Sequence, residues 1–143
     1  MNKVNRKLEY SLMALKHIAG KPTGQLTTAK EISENFKAPF DATARVLQSM
    51  AQRGLLKAEH GAHGGYLLVQ DLSQVNMNDL IEIVQGPIRV SKCLHEDDPC
   101  EIRDSCNIVT PIQNFNDQLT DFFKSISVKD LLFQKANGDD QRT

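Results

Sequence analysis

The chain has 143 residues, of which 40% are hydrophobic and 24% charged, with a net charge of −1. That suffices for one domain with a proper core, and the composition is that of an ordinary globular protein. There is no apolar run of about eighteen residues, and the opening MNKVNRKLEYSLMALKHIAG lacks an apolar stretch followed by a small-residue cleavage site. Neither a membrane span nor a signal peptide is expected, and a thiol-reducing cytoplasm is.

The charge is unevenly divided. Residues 1–60 carry ten Lys and Arg against five Asp and Glu, whereas residues 61–143 carry seven against thirteen. A basic half suits a polyanion, although the same charges also serve as solvated surface.

In chain order, Leu8, Leu12, Leu15 and Ile18 recur at three- and four-residue steps and predict a helix over 7–20, stopped by Gly20-Lys21-Pro22. Thr28-Ala-Lys-Glu31 reads as a reciprocal capping box that opens a second helix running toward Phe36. Lys37-Ala38-Pro39 breaks it. A third helix is expected from about Phe40 to Arg53, with Val46, Leu47 and Met50 inward and Gly54 as its C-terminal cap. Two short helices separated by about four residues fit a helix-turn-helix, with the later one in the recognition position. Leu55-Leu56 and Tyr66-Leu67-Leu68-Val69 then flank Gly61-Ala-His63-Gly64-Gly65, which predicts a β-hairpin in the place of a wing.

A short helix is expected over 77–84, ending at Gly86-Pro87, after which Ile88-Arg-Val90 leads into CLHEDDPCEIRDSC. This segment, which has neither helical nor strand periodicity, holds all three cysteines, Cys93, Cys100 and Cys106, spaced C-x6-C-x5-C. An odd number of cysteines in a reducing compartment argues against a disulfide framework. Thiolates are soft ligands suited to an iron–sulfur cluster or to zinc, and three of them leave a four-donor site one short. His95 is the local candidate to complete it, although its position two residues after Cys93 strains a common centre. Further on, Ile108, Ile112, Phe115, Leu119, Phe122 and Ile126 are spaced 4, 3, 4, 3, 4, a heptad stripe on a helix starting near Thr110, expected to pair with a second copy of the chain. Ser127-Val-Lys-Asp130 opens a last helical turn, and the polar tail is expected to be disordered.

The fold class is therefore mainly α with a small β-hairpin wing: a winged helix-turn-helix followed by a long C-terminal dimerisation helix. The expected organisation is a DNA-binding domain over 1–75, a connector helix and cysteine loop over 76–108, a dimerisation helix and docking turn over 109–133, and a tail over 134–143. Candidate DNA contacts are Thr28, Pro39, Asp41, Thr43, Ala44, Arg45 and Gln48 around the two helices. On the wing they are Lys57, His60, His63, Gly64 and Gly65. Arg45 suits a base edge or a phosphate, and Lys57 a phosphate. The two glycines would let the wing backbone approach phosphate or the minor groove, or would simply make a tight turn.

Pro39-x-x-Ala42-Thr43-x-Arg45-Val46-Leu47-Gln48, then Gly54-Leu55-Leu56, then Gly61-x-x-Gly64-Gly65-Tyr66-x-Leu68, resembles the IscR/NsrR family of bacterial winged-helix regulators. With the cysteine loop and the heptad helix in their places, the resemblance covers roughly residues 5–133. It implies a homodimer that reads a pseudo-palindromic operator on double-stranded DNA. It also implies an iron–sulfur cluster held by Cys93, Cys100 and Cys106; a four-iron form is favoured, with a two-iron form as the alternative. Two departures stand out. Ala42-Thr43 replaces the family's Tyr-Leu pair, and Val109 stands where the IscR branch has a histidine ligand. Glu9 occupies the position at which the NsrR branch has a carboxylate reaching across from the partner subunit, and is the leading fourth donor.

The expected function is a transcription regulator, acting as a repressor, whose operator affinity responds to nitric oxide, to iron or cluster supply, or to redox state. The alternative is the same regulator with a structural zinc or redox-active thiols and no cluster. A thiol oxidoreductase is a remote third reading: the sequence has no C-x-x-C and no phosphate-cradling loop, so no enzyme is expected.

Overall fold

A computed structural model describes residues 5–95 and 100–134. The acidic stretch between Cys93 and Cys100, and the tail expected to be disordered beyond residue 134, fall largely outside the described residues.

Helix α1 (Arg6–Ala19) is capped by Asn5, whose Oδ1 accepts from the Lys7 amide at 3.0 Å. Helix α2 (Ala29–Phe36) starts at Thr28, whose hydroxyl accepts from the Glu31 amide at 3.1 Å. Only this half of the expected capping box forms. The Glu31 carboxylate turns instead to Lys21 Nζ at 2.5 Å and to His17, because two basic partners at the end of α1 offer stronger charge-assisted bonds than one backbone amide. This cluster fastens the end of α1 to the start of α2.

Helix α3 (Phe40–Gln52) follows a tight turn in which Lys37 adopts a left-handed φ of 55° and Ser33 Oγ donates to the Ala38 carbonyl at 2.6 Å. The helix ends as its sequence predicts. Gly54 takes φ 81°, its amide bonds to the Ala51 carbonyl, and the Leu55 amide reaches back to Met50 at 2.9 Å, a Schellman closure. Strands β1 (Leu56–Glu59) and β2 (Gly65–Leu68) pair antiparallel, with Leu56 opposite Leu68 and Glu59 opposite Gly65. Tyr66 also exchanges two backbone bonds with Thr27, at 2.8 and 3.1 Å, so the wing is sewn to the residue before the α2 cap.

A one-turn 3₁₀ segment at Leu72–Gln74, not foreseen from the sequence, precedes α4 (Met77–Gln85), which is capped by Asn76 Oδ1 and terminated at Gly86 with φ 87°. Helix α5 (Val109–Lys124) and the short α6 (Val128–Phe133) complete the chain.

One core joins these elements. Leu8, Leu15 and Ile18 from α1, Ile32 from α2, and Val46, Leu47 and Met50 from α3 pack with Leu55 and Leu56. Leu80, Ile81 and Val84 of α4 and Val128 of α6 belong to the same cluster. The chain returns to its own middle here: Asn76 and Ser127 form an antiparallel bridge, with Met77 N–H to the Ile126 carbonyl and Val128 N–H to the Val75 carbonyl, both at 2.8 Å.

Helix α5 differs from the others in burying no residue fully. Its heptad stripe splits into two rails. Ile112, Leu119 and Ile126 are half-buried, and Ile126 packs with Phe123 against the core. Ile108, Phe115 and Phe122 are 50%, 55% and 58% exposed, apolar side chains that the protomer leaves in water.

Candidate functional site

The outer face of α3 is set by what its inner face buries. Thr43, Val46, Leu47 and Met50 point into the core. The opposite stripe leaves Asp41, Arg45 and Gln48 exposed and Ala44 half-buried. Pro39, at the N-cap position, is also exposed, as is Thr28 at the start of α2. Thr43 does not belong to this face. It is fully buried and its hydroxyl donates to the Pro39 carbonyl at 2.8 Å, so the expected DNA contact is corrected: Thr43 holds the first turn of α3 and cannot touch a duplex.

On the wing, Lys57, His60 and His63 are exposed, and Lys57 Nζ lies 3.4 Å from Glu59. A shallow cleft of about 460 Å³ lies between the wing tip and the α1–α2 connection, lined by His60 and His63 on one side and Gly24 and Leu26 on the other. The glycines have an internal reason. A Cβ on Gly64 would collide with the Glu59 carbonyl, and one on Gly65 would lie 2.9 Å from the Thr27 carbonyl. Tight packing of the wing on itself and on Thr27 therefore demands glycine at both positions.

The cysteine loop hangs from α5. The backbone amide of Val90 donates to Asn116 Oδ1 on that helix at 3.0 Å. Two one-turn 3₁₀ segments follow, Lys92–Leu94 and Arg103–Ser105. Lys92 Nζ reaches Glu101 Oε2 at 2.9 Å, joining the neighbour of Cys93 to the neighbour of Cys100. The Glu101 carboxyl is held below the usual carboxylate range, first by its own backbone amide and then by Lys92. All three thiols are free and half-buried, and Ser91 Oγ lies 3.0 Å from Cys93 Sγ. His95 is exposed, Val109 is the first residue of α5, and Glu9 on α1 pairs with Arg6 at 3.0 Å.

Among the described residues no three His, Cys, Asp or Glu side chains converge where they could hold a metal. The donor set nevertheless fits one chemically: three free soft thiols sit in a single stapled loop. Thiolates repel one another, and a cation is what would draw them together.

Comparison with known proteins agrees with this geometry. Residues 4–134 match the family described as "Rrf2: Iron-dependent Transcriptional regulator". A putative HTH-type transcriptional regulator of Aquifex aeolicus is 28% identical over 127 residues, 87% of this chain and 88% of that protein. The HTH-type transcriptional regulator NsrR of Shouchella clausii is 21% identical over 135 residues, 94% of this chain and 89% of its own. The crystallised CymR of B. subtilis, called the global cysteine regulator, superposes with a TM-score of 0.67 at 23% identity, over 92% of this chain and 97% of that one. Each relative is a regulator rather than an enzyme, and among the described residues no helix is long and apolar enough to cross a membrane. A winged helix-turn-helix with an exposed recognition face, matched over nearly its whole length, makes this chain a member of the Rrf2 family of DNA-binding transcription regulators.

Proposed function

We propose that the chain is a homodimeric repressor whose operator affinity is set by the state of the loop from Cys93 to Cys106, with an iron–sulfur cluster as the leading occupant. The observation that carries this reading is the attachment of a loop with three free thiols, through Val90 and Asn116, to the helix that leaves Ile108, Phe115 and Phe122 uncovered. The family description as iron-dependent supports it from a second direction.

In this reading Cys93, Cys100 and Cys106 are the thiolate donors and Glu9 of a second copy supplies the fourth, with a four-iron cluster favoured over a two-iron one. A bound cluster would supply iron at one oxygen-ligated corner open to nitric oxide, oxygen or iron loss. The protein's own part is mechanical. Asn116 ties the loop to α5, and the Lys92–Glu101 pair ties its two halves together. The outer rail of α5 packs against its symmetry mate, so a change of loop shape alters the angle between the two recognition helices. Asp41, Ala44, Arg45 and Gln48, with the wing residues Lys57, His60 and His63, would then meet, or miss, the two halves of a pseudo-palindromic operator.

A second reading, redox-active thiols or zinc without a cluster, rests on the three free, half-buried thiols themselves.

Anaerobic purification followed by absorption, iron and sulfide analysis and native mass spectrometry separates the two. A brown dimer with acid-labile sulfide, whose operator affinity changes when the iron is chelated, is the expected result. A colourless protein with affinity set only by thiol oxidants or by zinc would replace the cluster with the second reading.

A further inference from the structure

A cleft of about 250 Å³ opens between the first turn of α1 and the flank of α3, and α4 closes its inner side. Val46 and Val84 contribute its apolar lining, and its polar lining is Lys7, Arg45, Gln48, Ser49 and Gln52. Among the described residues, no Asp or Glu lines this cleft. Lys7 and Arg45 are both exposed and in no ion pair among the described residues. Glu9, on the same turn of α1 as Lys7, is already taken by Arg6 at 3.0 Å.

We propose that this cleft seats a backbone phosphate of duplex DNA, with Lys7 and Arg45 as its two cations and Gln48, Ser49 and Gln52 as neutral donors. The inference rests on the chain's membership of a DNA-binding family and adds a residue, Lys7, that lies far from the helix-turn-helix in sequence. Arg45, Gln48 and Gln52 recur at steps of three and four and form one stripe along the exposed flank of α3, in the same cleft as Lys7. When a recognition helix enters the major groove, its N-terminal residues meet base edges, while its flank lies against the strand that borders the groove. Asp41 and Ala44 are therefore left to face the bases, and Arg45 is drawn sideways to the strand. Two unpaired cations with amide and hydroxyl donors suit a phosphodiester, which needs charge and several hydrogen bonds but carries no base information.

The test is the salt dependence of binding to two unrelated mixed-sequence duplexes by the wild-type dimer, Lys7→Gln and Arg45→Gln, with circular dichroism as the check on folding. Each variant is expected to lower the slope of log affinity against log salt by about 0.9 for each protomer that engages the duplex, about 1.8 for the dimer, and to weaken both duplexes equally. An unchanged slope for Lys7→Gln overturns the proposal, as does an Arg45→Gln protein that loses affinity for only one sequence, which would return Arg45 to base reading. A wild-type protein that binds neither duplex at low salt overturns the DNA reading itself, a failure distinct from that of the cleft. Inorganic pyrophosphate distinguishes a free ligand: if it stabilises the wild type but not Lys7→Gln, while the DNA slopes stay equal, the cleft takes a small phosphorylated molecule and not the duplex.

Discussion

Val90 and Asn116, 26 positions apart, share one hydrogen bond of 3.0 Å, from the backbone amide of the first to the side-chain oxygen of the second. It joins the segment that leads into the cysteine loop to the middle of α5. Replacing Asn116 with Leu removes the acceptor and leaves a part-buried amide unsatisfied, at a cost of about 1–3 kcal/mol. The expected outcome is faster alkylation of Cys93 and earlier proteolytic cleavage in the loop, with helix content unchanged. Equal alkylation rates in the two proteins would show that the bond does not restrain the loop.

Phe115 and Phe122 lie one heptad apart and are each more than half exposed, so they add little to the fold of a single protomer. Substituting both with Glu should leave the melting temperature of the isolated protomer nearly unchanged. If the outer rail of α5 is the dimer surface, each aromatic is a central contact worth about 2 kcal/mol or more, and the double variant sediments as a monomer. A dimer that survives both changes would place the interface elsewhere.

The Glu31 carboxyl is held below the usual carboxylate range chiefly by its bond to Lys21, with His17 adding to the effect against a partial desolvation. A carboxylate whose pKa is depressed by folding stabilises the protein above its unfolded pKa, and that stability is lost as the pH falls through the folded value. Glu31→Gln should therefore be clearly less stable than the wild type at pH 7. The gap should close as the pH drops through and below the ordinary carboxylate range. Denaturant melts across pH 3–7 on the usual carboxylate scale check this; a pH-independent gap would assign the loss to packing.

Thr43 supplies a test of the corrected recognition face. Thr43→Val keeps the shape but removes the bond to the Pro39 carbonyl, so it should cost about 1 kcal/mol of stability. DNA affinity of the folded protein should stay the same. Selective loss of DNA binding, with stability intact, would restore Thr43 to the interface.

Much of this molecule is legible from local chemistry. Thr28 and Ser127 are followed three positions later by Glu31 and Asp130, and each caps a helix. Gly54 ends α3 because only a left-handed residue completes that turn. What the sequence hides is tertiary. Thr43 sits among outward residues in the linear pattern, and only the folded chain shows it fully buried with its hydroxyl turned back to the Pro39 carbonyl. Glu31 looks like half of a capping box until His17, from α1, and Lys21, just beyond that helix, come within reach. The heptad stripe on α5 reads as one surface, whereas α4 and the core take one rail and leave the other. Gly64 and Gly65 suggest DNA contact in isolation, but the Glu59 and Thr27 carbonyls that crowd them become neighbours only once the wing has folded.

The bridge between Asn76 and Ser127 bears on how the chain acquires its shape during synthesis. Val128, fully shielded from solvent, is a core member contributed by the last helix, and its amide completes a pairing with Val75. The DNA-reading half thus cannot finish packing as soon as it leaves the ribosome. It must wait until some fifty further residues, loop and α5 included, have followed it out. The winged helix and the elements that follow it are consequently one cooperative folding unit, and damage to the C-terminal turn should reach the recognition helix through the core as well as through the loop.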